Sequence, residues 1–421
     1  GLHLGLVAGT LFFAARIGIA LCPPLALRLN GKKAAALVAL FGALGYLLIT
    51  GQTVPTQRAF VMTALALLAV MVDRNPFSMR LVAIAALLVL LLRPEALLGP
   101  SFQMSFGAVV ALIAAYESGS GPSRSGLDGL DRRLLLYVAG VFLTTLVASV
   151  ATAPFAVHHF GRLPTYGILA NLVGVPLTAF WIMPSGLLGL LVMPLGLDGP
   201  VFAFMGQGIA WLLGLAGWVA DLPGAAVRLP PPPLAAVVIM TLGGLWLCLW
   251  QQPWRRYGLL GLPLGLVIWL QAPHPDVLID ARGRLIAVKT DDGVTLAPHE
   301  RDKWVHGMWL ERFGEDEPRP WPAPGEASVD GALRCDGLGC VLTRHGQRIA
   351  FAERPEALLD DCRLADLVLS YPRVERCPDG TARLIGPSAL RASGGMALRI
   401  EPREIVIRTV TEDRGARPWT R

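Results

Sequence analysis

The sequence is short of charged residues. Only 16% of its 421 residues are Asp, Glu, Lys or Arg, whereas 53% are hydrophobic. Soluble globular domains carry about 25% charged residues, so a large part of this chain cannot face water. The low charge therefore excludes a chain made only of soluble domains and indicates a membrane protein.

Acidic residues are scarcest in the first two-thirds of the chain. Residues 1–272 contain 7 Asp and Glu and 15 Lys and Arg, whereas residues 273–421 contain 24 and 22. This change near Pro273 predicts an apolar membrane domain at 1–272 and a soluble C-terminal domain at 273–421. The chain starts at Gly1 without a methionine, so we expect a fragment or a processed product with further residues upstream.

Catalytic motifs are missing as well. The sequence has no His-x-His-x-Asp-His run, no Gly-x-Ser-x-Gly and no phosphate-binding loop. These are the patterns that hold a metal pair, a nucleophilic serine and a nucleotide. His299 and His306 in the C-terminal part lack the spacing of metal ligands. The sequence therefore predicts no enzyme activity, no metal site and no cofactor.

Long apolar runs are what the sequence has instead. A helix needs about 20 apolar residues to cross the hydrocarbon core of a bilayer. About ten runs approach this length, near residues 3–27, 34–50, 59–72, 81–98, 101–116, 134–155, 165–192, 201–220, 234–250 and 258–272. Two of them, 59–72 and 258–272, are short and need their flanking residues to span. The stretch 165–197 contains three prolines and is either one kinked helix or two half-helices. The predicted fold is a polytopic α-helical membrane bundle of about ten spans followed by a small soluble domain.

Basic residues in the loops predict the orientation. Loops after odd-numbered spans hold ten Lys and Arg, and loops after even-numbered spans hold four. Cytoplasmic loops are the more basic ones, so the odd loops are predicted to be cytoplasmic. Both chain ends, including the C-terminal domain, are then on the outer, periplasmic side. If 165–197 crosses the membrane twice, every later element is inverted.

The C-terminal domain shows the sequence pattern of short strands. Alternating or continuous apolar runs occur at 277–280, 285–288, 348–351, 367–370, 397–400 and 405–407, and residues 355–363 have a helical pattern. These elements predict a small β-rich α/β domain.

Four of the six cysteines fall in this domain, namely Cys335, Cys340, Cys362 and Cys377. An even number outside the cytoplasm favours two disulfides, for which three pairings exist. Proximity favours Cys335–Cys340 and Cys362–Cys377. Free buried thiols and a zinc site are the alternatives.

Polar side chains inside the predicted spans are candidate functional residues because they are costly in lipid. They are Arg16, Arg58, Gln103, His158, His159 and Asn171. Each also has a structural interpretation, as an interhelical hydrogen bond, a helix cap or an interfacial polar cap. We predict that these residues form or brace a polar path between the helices.

Several motifs occur together in a fixed order. They are TGQ at 50–52, QRAFVM at 57–62, PSFQMSF at 100–106, APF at 153–155, FGR at 160–162, NLVGVP at 171–176 and IMP at 182–184. With this order and spacing, residues 1 to about 255 resemble the ComEC family of competence proteins.

This resemblance implies a multi-pass protein of the bacterial cytoplasmic (inner) membrane that takes up single-stranded DNA during natural transformation. The implied partners are single-stranded DNA, the lipid bilayer, a DNA receptor and a cytoplasmic helicase or ATPase, with a homo-oligomer as a further option. Many relatives end in a metallo-β-lactamase-like domain, but residues 273–421 are too short for it and lack its motif, so nuclease activity is not expected. The alternative functions are a secondary transporter of a small solute and a membrane anchor for an outer-face assembly.

Overall fold

The computed structural model describes residues 2–51, 53–119, 130–297, 303–374, 376–378 and 382–415. Two compact units follow from the contacts within the chain. The first is Gly1–Val227 with Pro232–Leu270, and the second is Arg228–Pro231 with Gln271–Arg421.

The first unit is helical. Its α-helices are α1 (Leu2–Leu21), α2 (Pro23–Arg28), α3 (Gly31–Ile49), α4 (Val54–Met71), α5 (Met79–Leu92), α6 (Pro100–Glu117), α7 (Leu130–Phe160), α8 (Gly167–Pro176), α9 (Met183–Val192), α10 (Asp198–Ala220), α11 (Leu234–Leu249) and α12 (Gly261–Leu270). Two short strands, β1 (Arg162–Pro164) and β2 (Ala226–Arg228), form a two-stranded sheet.

Six helices of the described residues are long and apolar enough to cross a membrane. They are His3–Leu21, Gly31–Ile49, Val54–Met71, Leu135–Phe160, Gly167–Leu195 and Asp198–Ala220. The shorter helices α5 and α11 are also apolar, with 14 and 16 residues. The prediction of a helical membrane bundle is confirmed in this form.

Several predicted span limits were wrong, and proline explains most of the differences. The run 3–27 breaks after Leu21, because Pro23 cannot donate the main-chain hydrogen bond that would continue α1. The run 81–98 ends its α-helix at Leu92 and continues as a 3-10 helix, Pro94–Leu98. The last run, 258–272, is a 3-10 helix over Pro253–Leu260 followed by the ten-residue α12.

The stretch 165–197 contains one continuous helical segment rather than two half-helices. A π-helical turn, Leu177–Ile182, joins α8 to α9. Near the prolines, the hydroxyl of Thr178 donates to the Gly174 carbonyl at 2.8 Å and the hydroxyl of Ser185 donates to the Trp181 carbonyl at 2.6 Å. Side-chain donors and π-turns are common ways of carrying a helix past missing proline N–H groups.

Glycines allow α11 to pack closely against the segment that follows it. A Cβ atom placed on Gly243 would lie 2.6 Å from the Gly258 carbonyl oxygen and 2.8 Å from the Gly261 Cα atom. Both neighbours are backbone atoms, so they cannot rotate away. Close backbone contact through small residues is a frequent way for apolar helices to associate.

The second unit is built from two sheets. Its strands are β3 (Val277–Asp280), β4 (Ile286–Thr290), β5 (Gly293–Leu296), β6 (Arg319–Pro320), β7 (Leu333–Cys335), β8 (Gly339–Arg344), β9 (Gln347–Ala352), β10 (Leu367–Ser370), β11 (Arg383–Ile385), β12 (Gly395–Ile400) and β13 (Ile405–Thr409). Its helices are α13 (Lys303–Phe313), α14 (Leu358–Leu364), α15 (Pro387–Ser393) and α16 (Val410–Arg414). The first sheet has the order β13-β12-β3-β4-β5-β6, and the second has β11-β10-β9-β8-β7.

The two sheets share one core. Val277 and Leu398 of the first sheet and Ile349 and Leu367 of the second are buried in the same cluster. On the opposite faces, α13 packs against the first sheet and α14 packs against the second. The predicted β-rich C-terminal region is confirmed, as a sandwich of two sheets between helices.

Two disulfides are present in this unit. Cys335 of β7 is bonded to Cys340 of β8, and Cys362 of α14 is bonded to Cys377. The indole N–H of Trp321 donates to the sulfur of Cys340 at 3.2 Å. Cys22 and Cys248 of the first unit are free thiols.

Asp361, next to Cys362 on α14, is expected to make the second unit less stable at neutral pH than in acid. Burial, helped by Asp336 and Asp360, raises its pKa from 3.8 to about 6. The folded state therefore favours the protonated carboxyl, and this contribution is complete below pH 4 and lost as the pH rises through 6. Asp361→Asn should raise stability at pH 8 by about 1 kcal/mol after solvent screening.

The measurement is thermal unfolding of the purified chain in detergent at pH 4 and pH 8. Unfolding of the second unit is monitored by its susceptibility to proteolytic cleavage within residues 271–421. Asp361→Asn should raise the transition temperature by a few degrees at pH 8 and leave it nearly unchanged at pH 4. Glu356→Gln, an exposed change just before the same helix, is the control and should have little effect. Equal shifts at both pH values would exclude titration of Asp361 as the cause.

Candidate functional site

Arg58 is a buried cation in α4. Its side chain is 5% exposed, and neither Nε nor Nη1 has a hydrogen-bond partner within the described part of the chain. Helical spacing places Arg58 on the same face as Met62 and Leu65. Those two side chains pack against the cluster that contains Phe102 of α6. Arg58 therefore lies on the face of α4 that is directed toward α6, one turn before Met62 and closer to the start of the helix.

A buried guanidinium without an anion is unfavourable. Arginine keeps its charge in proteins, and a charge removed from water costs several kcal/mol unless a partner compensates it. Its planar fork of N–H groups matches the paired oxygens of a phosphate or a carboxylate. Arg58 is therefore suited to receive an anionic ligand.

Gln103 and His159 form a hydrogen-bonded pair between α6 and α7. The amide Nε2 of Gln103 donates to the Leu97 carbonyl at 3.1 Å, so the other amide atom, Oε1, faces His159. The distance from Oε1 to His159 Nε2 is 2.8 Å. Because an amide oxygen only accepts, His159 donates from Nε2 and carries its proton there. The start of α6 is thereby tied to the end of α7.

His158 is bound in a different way. Its Nδ1 lies 2.8 Å from the carbonyl oxygen of Pro232, which precedes α11. A carbonyl oxygen only accepts, so Nδ1 donates and Nε2 of the neutral ring remains an acceptor. The two imidazole rings stand edge to face with centroids 4.9 Å apart. The histidine pair therefore joins α7 to both α6 and the start of α11.

These residues mark one end of the helical unit. Consecutive helices alternate in direction, so the starts of α4, α6 and α11 and the end of α7 lie at the same end. We call Arg58, Gln103, His158 and His159 the polar end of the bundle. Of the other two sequence candidates, Arg16 lies near the far end of α1 and is exposed. Asn171 lies in the first half of α8, which starts at the same end of the bundle as the polar end, but it is exposed as well. The structure thus brings five of the six candidates to one end, and the four residues of the polar end are the ones that are buried or half-buried there.

Sequence reasoning missed the main-chain partners of this site. The carbonyl oxygens of Leu97 and Pro232 orient Gln103 and His158, and a carbonyl gives no signal in a sequence because every residue has one. It also missed a cavity of about 480 Å³ between α6, α7 and α11, lined mainly by small apolar residues such as Ala111, Ala151 and Gly244. Among the described residues, no group of three or more His, Cys, Asp or Glu is placed to hold a metal ion.

The apolar helices define a multi-pass membrane protein, and the comparison with known families identifies which kind. The model of the family described as Competence protein matches residues 1–254, so the chain belongs to the competence protein family. The resemblance to the ComEC family is confirmed.

Two curated relatives extend this result. The chain is 23% identical over 309 residues to ComE operon protein 3 of Bacillus subtilis (strain 168), covering 72% of this chain and 37% of that protein. It is 32% identical over 269 residues to Competence protein ComA of Neisseria gonorrhoeae, covering 60% of this chain and 34% of that protein. The matched regions thus span about a third of each relative's length. No solved structure matches the chain.

Proposed function

We propose that the chain conducts single-stranded DNA across the cytoplasmic membrane during natural transformation, and that the strand first meets the bundle at its polar end. The observation that carries this proposal is Arg58, a buried cation with two nitrogens unpartnered within the described residues, in a chain of the competence family. A DNA strand brings one negative charge per nucleotide. A phosphate passing Arg58 would supply the counter-charge that the side chain otherwise lacks.

The remaining groups of the polar end suit the same ligand. Gln103 and His159 hold each other through a single hydrogen bond, and the edge-to-face histidine rings offer polar atoms beside an aromatic surface. Away from bulk water, hydrogen bonds to a phosphate are stronger than at an exposed surface. A series of such contacts would guide the strand along the polar end.

The proposal includes a membrane arrangement. We propose about ten spans, the six long helices together with α5, α6, α11 and α12, in the bacterial inner membrane. The polar end and the C-terminal domain, residues 273–421, then lie on the periplasmic side. A DNA receptor outside and a helicase or ATPase inside are the proposed partners, with a homo-oligomer as a further option.

The test is a transformation assay in a strain lacking the gene, complemented by the full chain or by a version ending at residue 272. DNA entry into the cytoplasm and integration into the chromosome are scored separately. A conducting protein restores entry with the full chain. Restoration of a small-solute transport phenotype without DNA entry would support a transporter instead. If the version ending at residue 272 is present in the membrane but restores no entry, entry depends on the C-terminal domain, the protein is an anchor and the proposal is wrong.

The cysteines report on the side of the membrane. If residues 273–421 are periplasmic, the four disulfide cysteines should resist alkylation in the denatured, unreduced protein, because that compartment maintains disulfides. Cys22 and Cys248, which are free, should react in the same sample and act as the internal control. After reduction, all six should react, as measured by mass spectrometry. Labelling of all six before reduction would contradict the periplasmic placement.

A further inference from the structure

The outer face of the first sheet of the second unit carries a groove of about 370 Å³. Its floor is formed by β12 and β13. In their antiparallel register, Ala397 lies opposite Arg408 and Arg399 lies opposite Val406, so these four side chains project from the same face. Leu278 of β3 pairs with Ala397 and extends the floor. The floor therefore alternates small apolar side chains with guanidinium groups.

Helix α13 forms the wall of the groove. Val305, Trp309 and Arg312 line it, and their spacing of four and three residues puts them on one helical face. Trp309 is half-buried and packs against the core beneath α13. Its indole is thus held against the core and lines the groove together with three arginines.

Three arginines and two carboxylates line the groove. Arg399 is held by an ion pair with Glu401, and its Nε has no partner within the part of the chain that the structure describes. Of the two carboxylates that line the groove, Asp280 accepts two main-chain N–H groups through Oδ1, at 2.7 and 3.0 Å. Asp413 is the exposed one. The lining arginines therefore outnumber the lining carboxylates by three to two, and Arg312 and Arg408 are the two that Glu401 does not pair.

The pKa of His274, at the edge of the groove, is affected by nearby positive charges. Burial lowers its pKa, and the positive charges of Lys289 and Arg312 lower it further. A second cation is thus disfavoured at this edge, as expected of a surface that already has a positive potential.

We propose that this groove binds a short segment of single-stranded DNA, with a base against Trp309 and phosphates on Arg312 and Arg408. A basic groove with an aromatic side chain is the usual arrangement for binding single strands without sequence preference, since every base can stack and every nucleotide carries a phosphate. This inference rests on the proposed function, because it gives the C-terminal domain the same ligand as the bundle.

The test uses the full chain in nanodiscs of zwitterionic lipid and an oligo-deoxythymidine that contains 5-iodo-deoxyuridine. Ultraviolet cross-linking should attach the oligonucleotide to the peptide that contains Trp309. Trp309→Leu should abolish this cross-link and weaken binding about tenfold, by loss of one stacked base. Trp304→Leu removes an exposed tryptophan of the same helix and should change neither result.

A second variant keeps the proposal testable if Trp309→Leu does not fold. Arg408 is exposed, and Arg408→Gln should reduce the slope of log K against log salt by about 0.7, the value for one lost phosphate contact on a single strand. Arg403→Gln, an exposed arginine in the turn between the same strands, is the control and should leave the slope unchanged.

Three results would overturn the proposal: a cross-link that avoids Trp309, an Arg408→Gln salt slope equal to that of Arg403→Gln, or a groove that is occupied only in the presence of anionic lipid. The last result would identify a lipid headgroup as the occupant. The proposed function is judged separately, by DNA entry in cells, so either can fail while the other stands.

Discussion

Replacing Arg58 by alanine is expected to lower transformation between tenfold and a hundredfold while the protein stays in the membrane. Removing one charge-assisted hydrogen bond costs about 1.5–3 kcal/mol, which corresponds to that range. Every nucleotide has to pass the same residue, so the loss affects the whole strand. Arg58→Lys should retain part of the activity, because the charge survives although the paired N–H geometry does not.

The Arg58→Met variant distinguishes a role of Arg58 in DNA passage from a role in helix packing. It removes a buried charge and keeps an apolar side chain of similar length, a change that is often neutral or stabilising. The variant should therefore be at least as abundant as the parent and still lose transformation. Arg16→Ala is the matched control, since it removes the same charge from an exposed position on α1, and it should transform within about twofold of the parent.

Normal transformation by Arg58→Met would show that the path does not pass Arg58. If Arg58→Ala disappears from the membrane but Arg58→Met is both abundant and active, the arginine has only a packing role. Membrane abundance by immunoblotting and DNA entry by a protected-label assay decide between these outcomes.

Gly243→Val is expected to remove the protein from the membrane. The new side chain would overlap the backbone of Gly258 and Gly261, so α11 and α12 cannot keep their present separation. Overpacking of this kind costs about 1–3 kcal/mol where side chains can adjust, and more where only backbone faces the new atoms. Displacement of α11 would also move Pro232 away from His158.

Gly244→Val is the control for this change, because a Cβ atom on Gly244 meets no atom within 4 Å. It should be tolerated. Membrane abundance and the unfolding temperature in detergent are the measurements. Equal abundance and equal unfolding temperatures of the two variants would mean that the glycine contact does not hold α11 against α12.

The sequence predicted the six long membrane helices and six of the eleven described strands of the second unit, because these depend on local patterns. Apolar length identifies a membrane helix, and alternation identifies a strand. It predicted the limits of the helices poorly. Near Pro23 and Pro94, hydrophobicity continues after the main-chain hydrogen bonds have stopped, and a count of apolar residues cannot register that difference.

The candidate site was predictable residue by residue but not as an arrangement. The high free energy of a charged side chain in lipid marks both Arg58 and Arg16 as candidates, yet the first is buried and the second is exposed. A helix that is apolar on all sides gives no periodic signal for which face turns inward. The pairing of Gln103 with His159 joins residues 56 positions apart, and the groove on β12 and β13 depends on strand pairing. Both are long-range properties of the fold.

The π-turn at Leu177–Ile182 leaves α9 with a choice of register. A π-turn contains one residue more than an α-helical turn of the same height. If that residue were passed along the helix, α9 would turn by about 100° and advance by about 1.5 Å relative to α8. Ser185 and Gly189, now buried, would then turn away from their present neighbours, and a different row of side chains would take their place. Such a shift would rotate α9 about its own axis without bending the segment.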